Sequence, residues 1–512
     1  MQNKSLPGCR SHKRFIRTLR TFTITAAFLF SFRLAVAGDE RPNVQDAYGP
    51  AFHRAENFRQ SPQRQPRAKE NDSVGRVRYW NEVAFNASGL DHTPVAPGEN
   101  RVFGEQFGPC RAARAMAIVQ IAVFDAVNVI KGSYQCYTGL RGNADETSLD
   151  AAIAQAAHDT LVAMFPSQRA SFDSLLADDL AQIESRPAKQ RGIALGRRAA
   201  AAILKLRADD GSDYVEPRLG IEYFASTELG HWQQDPISKS PIALGAYWGS
   251  VTPFVLESGQ QFRIPPPPDP GSAEFAEAYA EVKRLGGDGV TTPTQRTPEQ
   301  TFIGIYWAYD GTPSLCAPPR MYNQITVHVA QQMHTSDIEL ARLLALANTA
   351  MADAGIASWE SKFFYDMWRP VTAIRAYAPP VGDPNFTPLG APASNLNGPN
   401  FTPPFPACPS GHATFGGAVF QTLRRFYGTD RIAFTFVSDE LNGVTQDNQG
   451  NVRPLRPRSF PSLSAAEEEN GQSRICLGIH WAFDKTDGIA QGRKVGNYVF
   501  DNAFQPVRAS GR

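Results

Sequence analysis

Three short segments in the C-terminal third of the chain carry residue types suited to one piece of chemistry. They read Lys362-(six residues)-Arg369-Pro370, Pro409-Ser410-Gly411-His412 and Arg474-(three residues)-Gly478-Ile479-His480. A lysine, two arginines, a Ser-Gly pair and two histidines thus recur within about 120 residues. Three fixed cations suit a small tetrahedral oxyanion with two or three negative charges. Arginine contributes bidentate contacts and lysine a mobile point charge. The Ser410 hydroxyl and the Gly411 N–H can take the remaining oxygens. One histidine can bond to the central atom, and His412 can move protons near neutral pH.

Alone, each segment has an ordinary reading. Lys362 and Arg369 are seven apart, nearly two turns. On a predicted helix from Ser336 to Arg369 they share a face, roughly 10 Å apart along the axis. Such a pair is usually a solvated face. Here Trp359, Phe363, Phe364, Met367 and Trp368 make the helix aromatic and buried, and buried cations need partners. Asp366 can serve one of them, hardly both. Ser410 is a natural N-cap, and the free N–H groups of a helix start form an anion site. Gly411 lets the backbone approach a ligand. Arg474 and His480 are six apart and share no helical face, so the helix must end or bend between them, with Gly478 as the candidate. Asp484 follows His480 by four residues, one turn. Its carboxylate can hold His480 Nδ1–H and leave Nε2 as ligand or nucleophile. The coincidence of all three segments carries the oxyanion reading.

The elements around them are predicted to be helical. Apolar residues recur at helical spacing over 111–130, 149–164, 168–183, 190–206, 272–285, 300–309 and 321–333. A Pro265–Pro268 run forms a stiff connector, and 376–410 is a long Pro, Asn and Gly-rich loop. Helices follow near 410–427, 464–474 and 484–500, and strand patterns are few and short. The expected fold is all-α, two four-helix-bundle-like halves with long loops. Residues 77–512 form a single helical domain with the oxyanion site in 300–505.

The N-terminus differs. A basic stretch from Lys4 to Arg20, the apolar run Thr21–Phe32 and Ala35-Val36-Ala37 read as a secretory signal peptide over 1–37. The expected location is therefore secreted or periplasmic, without a stable membrane anchor. Residues 38–76 are polar and poor in aliphatics and read as a disordered leader. Residues 1–37 hold seven of the 51 Lys and Arg and none of the 50 Asp and Glu. The remainder carries 44 basic and 50 acidic residues, a formal net charge of −6. So acidic a chain has no general attraction for nucleic acid. Of the six cysteines, Cys9 leaves with the signal, and Cys110 with Cys136 is a plausible disulfide. No Cys/His spacing suggests zinc.

The three segments, read as K-x6-RP, PSGH and SR-x5-H-x3-D (Ser473 to Asp484), resemble the superfamily of type 2 phosphatidic acid phosphatases and vanadium-dependent haloperoxidases. Every motif letter is present. The 60 residues from 413 to 472 separate the second and third motifs, a longer gap than most phosphatases show. Trp359, three before the lysine, and Phe405, seven before His412, resemble the haloperoxidase branch and within it the chloroperoxidase type. Algal bromoperoxidases have a histidine where Phe405 stands. Asp310 resembles the family aspartate that pairs with the motif-three arginine.

The resemblance implies vanadate bound through His480, with phosphate able to occupy the same site. Lys362, Arg369 and Arg474 would neutralise its oxygens, and Ser410 and Gly411 would donate hydrogen bonds. His412 would help deprotonate hydrogen peroxide, and Lys362 would polarise the bound peroxide. Halide is then oxidised to hypohalous acid. Two other readings compete: a soluble acid phosphatase with His480 as nucleophile and His412 as acid, and a non-catalytic oxyanion-binding protein. The long helical region before Lys362 and the Trp359/Phe405 pair favour the haloperoxidase, and an intact His412 disfavours simple capture. Phe405 tilts the halide toward chloride. Oligomeric state is not legible in the sequence.

Overall fold

Alanine is the commonest residue of the two longest helices, joined by leucine in one and by valine and isoleucine in the other, which gives both an apolar surface nearly all round. Both are therefore core helices. The computed structural model describes residues 43–54, 72–142, 145–184 and 186–507. After a short helix α1 (Val44–Tyr48) come α2 (Ser73–Asp91), α3 (Pro109–Lys131), α4 (Leu149–Met164), α5 (Arg169–Ala181) and α6 (Arg186–Leu206). Helices α2, α3, α4 and α6 pack together as the first bundle, with α5 alongside. A loop-rich stretch follows, then α7 (Ala273–Leu285), α8 (Pro298–Tyr306), α9 (Pro319–Gln332), α10 (Asp337–Tyr365) and the short α11 (Pro370–Ala376). The second bundle joins α10 to α12 (Gly411–Tyr427), α13 (Leu463–Cys476) and α14 (Ala482–Asn502). Packing of α3 on α10 unites the halves.

Strands are minor, as expected of an all-α protein. β1 (His53–Arg54) pairs antiparallel with β2 (Leu396–Asn397), and β3 (Phe434–Phe436) with β4 (Arg458–Phe460). By length and composition α3 and α10 could cross a membrane, yet 83% and 100% of their most apolar windows are buried in the protein.

Three expectations are corrected. The helix carrying Lys362 stops at Tyr365, not Arg369, because Asp366 turns left-handed at φ 50°. Pro370 then opens α11 at its first position, where its missing N–H costs nothing. Lys362 and Arg369 therefore meet across a chain reversal rather than along one helical face. The expected leader 38–76 is ordered in part: Asn43 caps α1, Val44, Ala47 and Tyr48 are buried, and Phe52 is fully enclosed. Finally, Cys110 and Cys136 are not bonded, and all five cysteines of the described residues are free. Cys110 lies in the first turn of α3, whereas the Cys136 thiol folds back against Asn128 and the Asp125 carbonyl, so roughly 20 Å of helix separates them. The signal-peptide reading of 1–37 lies outside the described residues.

Candidate functional site: a buried cluster of three cations and two histidines

The structure brings all three sequence segments to one place, at the ends of the second bundle's helices. Lys362 stands in the last turn of α10, fully buried. Its Nζ donates to the carbonyls of Pro406 and Ala407, both at 2.9 Å, and of Pro409 at 2.5 Å. Burial, then Arg369, pushes its pKa well down. Three carbonyl acceptors nevertheless match the three N–H groups of the ammonium form; a neutral amine would leave one unpaired. The ammonium also lies 5.5 Å from the Trp359 ring centre and 5.1 Å from that of Phe405. These faces partly replace lost water. With all three N–H groups engaged, Lys362 acts here as a fixed charge and a clamp on residues 406–409.

Arg369 caps α11. Its Nε donates to Phe405 O and its Nη1 to Ile479 O, each at 2.9 Å, and its guanidinium sits 5.0 Å from the Phe405 ring centre. Nη1 also lies 2.9 Å from His480 Nε2. Arginine can only donate, so Nε2 is an acceptor carrying a lone pair. On the other side of the ring, His480 Nδ1–H donates to Asp484 Oδ2 at 2.7 Å. That oxygen also receives Trp481 N–H at 3.0 Å. Burial is the largest cause holding His480 well below its ordinary pKa, with Arg369 next. Burial raises Asp484 to about 6 and lowers Arg369 to about 9.

Gly478 makes the turn that brings His480 in. Helix α13 ends at Cys476, and Gly478 adopts φ 76° against Gly286, whose carbonyl a Cβ would meet at 2.5 Å. Arg474, one residue-pair earlier in the last turn, points its Nη2 at Asp310 Oδ1, 2.5 Å away. The pair expected between Asp310 and Arg474 is thus present, and burial raises the Asp310 pKa.

Ser410 caps α12 through its hydroxyl, and Gly411 follows in the first turn, where N–H groups have no intrahelical partner. A Cβ on Gly411 would meet the Trp359 ring at 3.2 Å, so glycine is what lets the indole and this turn approach. His412 Nε2 lies 2.5 Å from Ala308 O. A carbonyl only accepts, so Nε2 carries the proton and Nδ1 is the bare nitrogen. Burial, then Arg474, holds His412 well below its ordinary pKa.

Two groups that sequence reasoning missed fix this turn. Tyr322 OH and Asn470 Nδ2 both donate to His412 O at 2.9 Å. Asn470 lies four residues before Arg474 on one face of α13, a spacing that could have flagged it. Tyr322 comes from α9 and left no local signal.

The cluster opens on a cavity of about 50 Å³, room for a few water-sized groups. Asp310, His412, Arg474 and His480 are its polar lining, and Trp359, Phe405 and Phe415 belong to its apolar wall. Lys362 and Arg369 stand outside the lining. Several buried atoms here have no partner: Arg369 Nη2, Arg474 Nε and Nη1, Asp310 Oδ2 and Asp484 Oδ1. Unsatisfied buried donors cost about 1–3 kcal/mol each, more when charged. Three guanidinium donors without acceptors, beside a neutral imidazole lone pair, fit a small oxyanion that can also accept a nitrogen ligand.

Both histidines are held neutral by the same cause, which is directly observable. Their ring signals in ligand-free protein are expected not to titrate between about pH 7.5 and 5.5 in an NMR series. A midpoint near the free value of about 6.5 would contradict the burial argument.

Known proteins share this architecture. Residues 342–509 match the family model of the second helical-bundle domain of vanadium chloroperoxidase. The chain is 31% identical over 495 residues to vanadium chloroperoxidase of Curvularia inaequalis, covering 81% of this chain and 80% of that one. A bacterial vanadium-dependent iodoperoxidase superimposes with a TM-score of 0.68 at 22% identity, over 84% of this chain and 98% of its own. The holo form of a bacterial vanadium-dependent chloroperoxidase gives 0.59 at 17% identity, over 80% and 95%. These two likenesses concern the fold; the identity and coverage of the Curvularia inaequalis relative settle the descent. The chain belongs to the vanadium-dependent haloperoxidase family.

Proposed function

We propose that the oxyanion this cluster holds is vanadate, with His480 Nε2 as its protein ligand, in an enzyme that oxidises halide with hydrogen peroxide to hypohalous acid. The observation that supports the assignment most is the set of partnerless guanidinium N–H groups on Arg369 and Arg474 beside the Nε2 lone pair. Bound vanadate would supply Lewis-acid activation of peroxide without changing its oxidation state.

The chain's own residues supply the rest. Asp484 fixes the His480 tautomer and so leaves the lone pair on Nε2. Because Arg369 Nη1 now occupies that lone pair, it must yield Nε2 to the ligand and turn toward the anion's oxygens. Gly411 lines the cavity, and its N–H with the Ser410 O–H would meet the same anion at the α12 N-terminus, where the helix dipole favours negative charge. His412 Nδ1 is the base that takes a proton from hydrogen peroxide, and Nε2–H stays on Ala308 O as it does so. An anion beside Arg474 offsets the repulsion that lowers His412, and so raises its proton affinity into a useful range. For Lys362 to polarise peroxide directly, it must release one of its three carbonyls; otherwise it contributes through charge alone. Phe405 keeps the wall apolar where a histidine would make it polar, consistent with a preference for chloride. The pattern of residues 1–37 supports export, which N-terminal sequencing of the secreted protein tests by finding Gly38 first.

The direct assay loads purified protein with vanadate and offers peroxide and bromide or chloride with a halogen-accepting dye. Vanadate-dependent halogenation is expected. No halogenation with vanadate, but hydrolysis of p-nitrophenyl phosphate without it, would overturn the reading in favour of a histidine-nucleophile phosphatase. Inactivity in both would favour simple oxyanion capture. In the same protein, Asp310→Asn removes the charge that orients Arg474. Vanadate affinity is expected to fall about 10–100-fold by equilibrium dialysis, the usual cost of losing a supporting partner.

A further inference from the structure

The N-terminal piece Asn43–Arg54 belongs to neither bundle, yet it reaches the cavity. Ala47 and Tyr48 of α1 line it together with His412, Arg474 and His480. The Tyr48 hydroxyl donates to the carbonyl of Gly311, the residue after Asp310. Tyr48 is 4% exposed, its ring edge-on to Phe107 and to Phe401 with centres 5.7 Å away in each case. Phe52 adds a third ring at 5.6 Å.

This strap is fastened at three points. Ser240 Oγ donates to Ala47 O at 2.7 Å. Phe52 is fully buried in the small core with Phe401 and Leu396. β1 then pairs with β2, His53 opposite Asn397. A segment so tied is part of the wall rather than a loose flap. With it in place the cavity is about 50 Å³, whereas a cavity known to bind benzene is about 150 Å³. Peroxide and a halide ion fit this space; an aromatic ring does not.

We propose that Tyr48 is a specificity-determining residue: it closes the active-site cavity to organic molecules while admitting peroxide and halide. Oxidised halogen then leaves as hypohalous acid, and organic acceptors are halogenated outside the protein. This rests on the haloperoxidase reading of the site, but the size exclusion itself can be tested without turnover.

The probe is 4-bromophenol, followed by saturation-transfer NMR on ligand-free protein with vanadate as competitor. Wild type is expected to give no vanadate-displaceable signal, and Tyr48→Ala to bind with a Kd of about 1 mM. Tyr48→Phe keeps the ring and is expected to behave as wild type. Tyr48→Leu repeats the test should the alanine variant fail to fold. Displaceable binding by wild type, or none by folded Tyr48→Ala and Tyr48→Leu, overturns the proposal. In turnover, the ortho/para ratio of phenol bromination by wild type should equal that of reagent hypobromous acid, and Tyr48→Ala should depart from it. A wild-type ratio unlike the reagent's also overturns the proposal. Loss of vanadate-dependent turnover in wild type would instead sink the haloperoxidase reading, leaving the binding arm to decide the role of Tyr48.

Discussion

Replacing His412 with alanine is expected to lower halogenation turnover by about 10²–10⁴-fold, the usual contribution of a positioned general base, while vanadate stays bound. The separation follows from the geometry. The His412 ring bonds to Ala308 O rather than to His480, and the His412 backbone carbonyl, held by Tyr322 and Asn470, keeps the α12 start in place whatever the side chain. What disappears is Nδ1, the only nitrogen of that ring free to take a proton, since Nε2 is committed to Ala308 O. Stopped-flow turnover and equilibrium vanadate binding on the same preparation check this. Loss of both together would mean that His412 holds the anion rather than the proton. Because an anion raises the His412 pKa, the wild-type rate should fall as pH drops through that raised value, with base catalysis lost to protonation. The alanine variant should lose this limb of the profile.

His480→Ala is expected to weaken vanadate binding by more than about 100-fold, beyond the effect of losing a mere supporting group. Lost coordination is not the only cost. In ligand-free protein Arg369 Nη1 also loses an acceptor, and Asp484 Oδ2 loses one of its N–H donors. Phosphate separates these effects. It meets the same arginines but needs no nitrogen bond, so its affinity should drop far less. Isothermal titration of both anions against wild type and variant is the check. Parallel losses for vanadate and phosphate would place the effect in the arginine cluster and remove His480 as ligand.

Much of this site was legible because its residues lie in short, ordered segments. Ser410 as a cap, Gly478 as the turn that redirects the chain and the Asp484 partner of His480 all follow from local spacing, where capping and helical periodicity act. The relation of Lys362 to Arg369 was not legible. Seven residues in an apolar, aromatic run look like two turns of helix, and nothing local announces that Asp366 adopts a left-handed conformation before Pro370. Tertiary bonds fix that reversal: Trp232 N–H donates to Asp366 O, and Trp368 N–H to Gly230 O. The engagement of Lys362 with the carbonyls of 406–409 was equally hidden, because it depends on where a distant loop passes. Polar composition suggested disorder for the strap around Tyr48, but four buried residues, Val44, Ala47, Tyr48 and Phe52, sufficed to anchor it once a partner surface existed. Fold class was the easiest reading. Long alanine-rich periodic segments specify helices whatever their partners, and a chain of many such segments packs as bundles.

The most direct test of the account is a crystal structure of the protein soaked in vanadate, with the vanadium located by its anomalous scattering. A vanadium atom is expected at bonding distance from His480 Nε2, with Arg369 displaced from that nitrogen and, like Arg474, donating to the anion's oxygens. Vanadium absent from the cluster, or an anion held by hydrogen bonds alone with Arg369 still on Nε2, would contradict it.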